Sequence, residues 1–173
     1  MDILSILKSA NIMQQMHTLE RNEYLCKAGQ HATDIFYIES GTVKVFVMDE
    51  EEQIIRFGYK NDLVVPLDSF ISGCPTDYYI QTIKKSGIRK ISKPDFMSCL
   101  QSRKDYRQAW TGILENLVLQ QLEREKDILT LSAAKRYERV LKRSPKLFQE
   151  VPHRYIANYL GMSPETLSRL KKS

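Results

Sequence analysis

The sequence is poor in the residues that build metal centres and nucleophilic sites. Its three histidines, His17, His31 and His153, are far apart, and its three cysteines, Cys26, Cys74 and Cys99, have neither metal-ligand spacing nor a CxxC pair. An odd, dispersed set of cysteines reads as reduced thiols in a cytosolic protein. There is no Ser-His-acid spacing and no glycine-rich phosphate loop. A metal-dependent enzyme on a β-roll would need clustered His and carboxylate ligands, and the β-rich part of the chain offers only His31 without a partner motif. These absences argue against the common enzyme classes, and no metal or cofactor is predicted; a lone histidine as a haem ligand stays open. No apolar run approaches the roughly 18 residues of a membrane span. The start, Met1 to Lys8, lacks the basic lead and continuous apolar block of a signal peptide. The expected location is the cytoplasm, with no membrane partner.

What is present is a globular composition, 42% hydrophobic and 27% charged over 173 residues. The net charge of +5 is unevenly placed. Residues 132–173 hold ten Lys or Arg against three acids, whereas the first 131 hold 16 basic and 18 acidic side chains. A cationic end on a nearly neutral body points to a nucleic acid partner.

Three stretches have different periods. Ile3, Leu4, Ile6 and Leu7 share a face, which predicts a short amphipathic helix at the start. Residues of about 20–92 read as β structure. The runs Asp34–Glu39 and Thr42–Met48 flank Ser40-Gly41, a hairpin signal, and Gln53–Tyr59 and Tyr78–Lys84 are further strand candidates. Gly29, Gly58, Gly73 and Gly87 punctuate the stretch as turn residues. Many short strands imply a barrel, roll or sandwich. Lys93-Pro94-Asp95 then opens a short helix.

From about residue 105 to 131 the period becomes helical, with Trp110, Ile113, Leu114, Leu117, Val118, Leu122, Ile128 and Leu129 at three- and four-residue steps. A helix this long suits a seam between two protomers, the alternative being packing on its own domain. Ser132 is placed to cap a further helix through Tyr137, Val140 and Leu141, which Pro145 ends, and Pro152 starts the next at its first turn.

The stretch Ile156 to Leu170 carries the functional pattern. Gly161 ends one helix in a left-handed turn, and Ser163-Pro164 caps and starts another. Ala157 is small where two helices approach, and Ile156, Leu160, Met162, Leu167 and Leu170 fill the apolar positions. A turn of three to four residues between the two is that of a helix-turn-helix. The outward face of the second helix then carries Glu165, Thr166, Ser168 and Arg169. Arg pairs bidentately with guanine and Glu accepts from cytosine. Ser163, Thr166 and Ser168 suit phosphate oxygens, and Arg154, Lys171 and Lys172 add a salt-dependent phosphate attraction. The competing reading is a plain helical hairpin with a polar face.

On these residues the chain resembles the Crp/Fnr family of bacterial transcription regulators. The segment Phe36 to Val45 is similar to the family's early hairpin, Leu131 to Tyr137 to its junction before the DNA-binding domain, and Ser163 to Arg169 to its recognition helix. The resemblance implies an α+β fold. An N-terminal antiparallel β-roll, cyclic-nucleotide-binding-like and of jelly-roll type, occupies residues 1–104. A long dimerisation helix over 105–131 follows, then a helix-turn-helix over 132–173. It also implies that Glu165 and Arg169 read bases in double-stranded DNA, that the chain is a homodimer through 105–131, and that RNA polymerase is a further candidate partner. Pro164 stands where the family often has an Arg, which removes one contact.

The same resemblance places Val65, Pro66, Thr76 and Asp77, with Gln121 and Leu122 of the long helix, around the effector pocket. Cyclic AMP-binding members carry Gly-Glu and then Arg with Ser or Thr, where this chain has Val65-Pro66 and Thr76-Asp77. Pro66 has no N–H to offer an anion and Asp77 repels one. The expectation is a small-molecule effector other than cyclic AMP, or none. The cysteines lack the clustering of iron–sulfur members. The sequence reaches Lys171-Lys172-Ser173 without the β-hairpin wing that usually follows the recognition helix; either the natural protein lacks the wing or the sequence is truncated, and without a wing the two lysines are expected to supply backbone contacts instead. A second functional reading stays open at this stage, a ligand-binding or protein-interaction module that no longer reads DNA.

Overall fold

Residues rich in Ile, Val, Phe and Tyr form eight short strands among the described residues, 3–172, of the computed structural model; Met1, Asp2 and Ser173, the ends of the sequence-based domains, lie outside them. The strands are β1 (His17–Leu19), β2 (Tyr24–Cys26), β3 (Ile35–Ser40), β4 (Thr42–Met48), β5 (Glu52–Tyr59), β6 (Leu63–Val64), β7 (Tyr79–Thr82) and β8 (Ser86–Ile91). They make two four-stranded antiparallel sheets, ordered β1-β8-β3-β6 and β2-β7-β4-β5. Phe36 and Ile38 of β3 and Ile88 of β8 share a buried cluster with Val43 and Val45 of β4, Ile80 of β7 and Cys26 of β2. Burying each such side chain contributes about 1.5–3 kcal/mol. The result is an antiparallel β-roll and not a closed barrel.

The expected hairpin across Ser40-Gly41 does not form. β3 pairs with β6 and β8, and β4 with β5 and β7, so the chain changes sheets at this corner. One residue between the strands is too short for a hairpin loop, which needs two. Gly41 has φ +95°, and a Cβ there would lie 2.1 Å from the Ser86 hydroxyl oxygen. That oxygen accepts from the Thr42 N–H (3.2 Å), locking the corner to β8. The true hairpin joins β4 to β5, with a bulge between Val45 and Phe46. Gly58 and Gly87 are likewise not turn residues. They lie inside β5 and β8, where neighbouring side chains leave no room for a Cβ.

Helices cover one end of the roll. α1 (Ile3–Ser9) buries Ile3, Ile6 and Leu7, as its periodicity predicts. α2 (Leu67–Ser72) lies inside the stretch read as β structure. Six residues give too little periodicity to mark a helix, and only Phe70 and Ser69 are buried. α3 (Lys93–Ser102) begins where Pro94 predicts, with the Ser92 hydroxyl accepting from the Asp95 N–H (3.2 Å). Phe70, Phe96 and Trp110 meet edge to face at 5.0–6.2 Å.

The chain divides into two compact units, Met1–Ile113 and Leu114–Ser173. α4 (Lys104–Leu129) is unbroken, and its first turns belong to the first unit. In the second unit follow α5 (Ala133–Arg143), α6 (Pro145–Glu150), α7 (His153–Leu160) and α8 (Pro164–Lys172). The Ser132 hydroxyl caps α5 through the Lys135 N–H (3.4 Å). Pro145 ends α5 but also opens α6, a helix the sequence reading lacks, because a missing N–H costs little in a first turn. Pro152 sits just outside α7, at its N-cap position. Val140, Leu147, Val151, Tyr155, Ile156, Ala157, Leu160 and Leu167 are buried.

Candidate nucleic-acid interface

The second unit is organised around the turn between α7 and α8. Gly161 takes φ 62°, ψ 48°, the left-handed conformation that glycine adopts without steric cost. Its N–H donates to the Asn158 carbonyl (2.9 Å) and the Met162 N–H to the Ala157 carbonyl (3.0 Å), closing the end of α7. Two residues later the Ser163 hydroxyl accepts from the Thr166 N–H (3.2 Å) and lies 3.1 Å from the Thr166 hydroxyl. This caps α8, so part of the hydrogen-bonding capacity expected of Ser163 toward phosphate is used within the helix end. Ala157 is buried where the helices meet, and Leu167 and Leu160 fill the space between them. Met162 and Leu170 are only half-buried.

The outer face of α8 carries the predicted contact residues. Glu165, Ser168, Arg169, Lys171 and Lys172 are exposed, and Thr166 is half-buried. Glu165 and Arg169 are four residues apart, hence neighbours on one face. The Glu165 carboxyl is held below its ordinary value by its own backbone N–H and the Ser163 hydroxyl, with a smaller electrostatic contribution from the Arg169 guanidinium. It is therefore ionised at neutral pH, the form that accepts a hydrogen bond from cytosine. Arg154 is exposed at the start of α7, its guanidinium lying 4.4 Å from the centre of the Tyr155 ring and donating to the Tyr155 hydroxyl. Lys171 lies 5.9 Å from the centre of the Phe148 ring.

Three residues that matter here escape sequence reasoning. Arg136 of α5 donates to the Leu160 carbonyl (2.6 Å), the Gly161 carbonyl (3.2 Å) and the Thr130 carbonyl, tying the turn to the end of α4. Arg124 of α4 donates to the Tyr159 carbonyl (2.6 Å) and stacks on the Tyr159 ring at 3.9 Å. Asp127 is fully buried against Arg139 and Arg143. In the sequence Arg136, Arg139 and Arg143 are simply part of a basic segment and Arg124 one charge among several on the long helix, and nothing marks which of them face inward.

The predicted effector residues fall in both units. In the first, Val65 packs beside Phe70 and Pro66 is buried. Thr76 is buried and Asp77 exposed. What sequence reasoning misses is Asp68. Its carboxylate accepts from the Thr76 hydroxyl (2.8 and 2.9 Å) and from the Asp77 N–H (2.9 Å). The donors of this loop are thus taken by an anion of the chain itself. Nearby, burial pushes the Cys26 thiol up to about 11, with the Asp68 charge adding. Gln121 and Leu122 lie exposed on α4 in the second unit. Among the described residues no three His, Cys, Asp or Glu side chains gather as a metal site, and no helix is long and apolar enough to cross a membrane.

A β-roll followed by a long helix and a helix-turn-helix defines a class of protein, the DNA-binding regulator with a sensor-type roll. Residues 16–103 match the cyclic nucleotide-binding domain. The chain is similar to the fumarate and nitrate reduction regulatory proteins of Salmonella typhi and of Escherichia coli, 27% identical over 92% of this chain and 68% of theirs. Its fold is similar to that of a CooA mutant from Carboxydothermus hydrogenoformans, with TM-score 0.78, 16% identity, and 99% and 83% of the two chains covered. It is similar also to the c-di-GMP-responsive global regulator CLP of Xanthomonas campestris, with TM-score 0.72, 17% identity, and 99% and 90% covered. The chain belongs to the Crp/Fnr family of transcription regulators, with a cyclic nucleotide-binding-type roll as its first part.

Proposed function

We propose that the protein is a homodimeric, sequence-reading transcription regulator of the cytoplasm, without enzymatic activity, in which α8 enters the DNA major groove. The observation that carries this reading is the capped, exposed face of α8, with an ionised Glu165 one turn from Arg169. Arg169 reads guanine, Glu165 reads cytosine, and Thr166 and Ser168 fix the register on phosphates. Arg154, Lys171 and Lys172 supply the salt-dependent attraction. The protomers pair through residues 105–131. Val118, Leu122 and Leu129 are 59%, 48% and 77% exposed in the single chain, an apolar face that a second copy covers. RNA polymerase is the partner expected of a regulator bound beside a promoter.

The effector, if there is one, is a small molecule other than cyclic AMP. Asp68 already satisfies the Thr76 hydroxyl and Asp77 N–H, and no arginine stands at position 76 to pair a phosphate. Selection from a random duplex library, run on the wild type and on Arg169→Ala, tests the reading. A two-fold symmetric site should be enriched by the wild type and lost or relaxed in the variant, with half-sites about 34 Å apart. Enrichment of no site by either protein refutes sequence reading and favours a module that does not read DNA.

A further inference from the structure

The joint between α4 and α5 has almost no apolar glue. Thr130, Leu131 and Ser132 link the two helices, Leu131 is 96% exposed, and the one residue that α4 buries is an acid, Asp127. That carboxylate is fully buried. Arg139 Nε meets its Oδ1 at 3.1 Å, and Arg143 grips its Oδ2. One turn earlier on α4, Glu123 takes the other arm of Arg139 at 3.1 Å. Two carboxylates spaced by four on α4 thus face two arginines spaced by four on α5, so both pairs lie on single helix faces. From α5, Arg136 continues the connection to the carbonyls of Leu160 and Gly161, which form the turn before α8.

A buried ion pair adds little net stability over a well-packed apolar contact, because desolvation offsets the attraction. What it does impose is direction, since a planar guanidinium binds a carboxylate in few orientations. We propose that Asp127 is a positioning residue for DNA reading, gripped by Arg139 and Arg143 so that the last turns of α4 and the helix-turn-helix form one rigid body. The spacing of two reading helices across a dimer is then set by this lock and not by the three-residue link. The inference rests on the DNA-reading role proposed above.

Removing one partner leaves a buried charge and endangers the fold, so the test replaces the whole lock. The variant Asp127→Leu/Arg139→Met/Arg143→Met replaces the three charges of the lock by apolar side chains of similar total volume. It is expected to unfold at or above the wild-type temperature. With the site selected by the wild type, both full-length proteins are titrated against that site and against versions with one base pair added to or removed from the centre. The wild type should discriminate between these by about tenfold or more, the scale of one mismatched base pair, and the variant should discriminate by far less. Equal discrimination in a folded variant overturns the proposal. A readout independent of DNA separates this from failure of the DNA-reading role. Spin labels introduced as unnatural amino acids at Gln120 and Lys142, both exposed, in protein diluted with unlabelled chain, should give a narrow distance distribution in the wild type and a broad one in the variant. If the wild type enriches no site, the DNA-reading role fails and this comparison alone decides the lock; coincident narrow distributions refute it.

Discussion

Adding cyclic AMP to the wild-type protein should leave its unfolding temperature unchanged, and the reason can be given a magnitude. A phosphate brought to the Thr76 and Asp77 donors meets the Asp68 carboxylate that already occupies them. Two like charges about 4 Å apart repel by about 4 kcal/mol at an effective dielectric of about 20, which weakens binding roughly a thousandfold. The two family positions do not offset this, because position 76 is Thr and position 66 is Pro, neither of which carries a charge to pair the anion. A nucleotide at about a hundred times its Kd stabilises by about 2.7 kcal/mol, which for a chain of this size is a shift of several degrees. The assay is thermal unfolding with and without millimolar nucleotide, on the wild type and on Asp68→Asn. The expected shift in the wild type is under about 1 °C. Asp68→Asn removes the repulsion while keeping an acceptor for Thr76, so it should tolerate the nucleotide better than the wild type, with only a weak gain. A shift of several degrees in the wild type refutes the reasoning.

Three other outcomes follow from named contacts. Arg136→Ala removes a charged donor from three carbonyls and should destabilise the second unit by about 2 kcal/mol, half-exposure reducing the full value; Arg136→Lys should recover only part of it, and a loss under about 0.5 kcal/mol by chemical denaturation would show that the clamp is idle. Glu165 has a lowered folded pKa, so its contribution to α8 is present above its ordinary value of 4.5 and lost as pH falls below it. The stability difference between wild type and Glu165→Gln should therefore be flat from neutral pH to about pH 5 and close below 4.5; a difference that already narrows near pH 7 would contradict the cap. Exposed Cys74 should react first with a thiol reagent, while buried Cys26, with its thiol near 11, stays unreactive through mildly alkaline pH until unfolding; rapid modification of a second thiol in folded protein would count against that burial.

The elements legible in the sequence are those whose signals are local. Ser163-Pro164 announces a capped helix, Gly161 a left-handed turn, and the four-residue steps of α4 a long helix, because each depends on residues within one or two turns. The β-roll was legible as a class, since its strand runs are β-branched and aromatic. Its pairing was not. Ser40-Gly41 carries the composition of a hairpin turn, yet it is a corner between sheets, and only Ser86, far along the chain, reveals why Gly41 is there. The same limit hid α2, which is too short for a period and is set by Phe70 packing against Phe96 and Trp110.

The site divides along the same line. Outward-facing residues such as Glu165 and Arg169 could be picked out by their place in the helix-turn-helix, whereas inward-facing charges could not be separated from solvated ones. Composition marks residues 132–173 as a basic segment for a phosphate backbone, yet Arg136, Arg139 and Arg143 spend their charge on carbonyls and on Asp127. The cationic excess available to DNA is therefore smaller than the composition gives: Arg154 at the start of α7 and Arg169, Lys171 and Lys172 on α8, beside the exposed Lys135 and Lys142 of α5. The salt dependence of binding should reflect the smaller number. Deleting Lys171 and Lys172 should flatten the slope of log affinity against log salt by about 2, roughly one for each phosphate no longer neutralised. An unchanged slope would mean that these two lysines do not reach the backbone, and that the attraction comes from other basic residues such as Arg154 and Arg169.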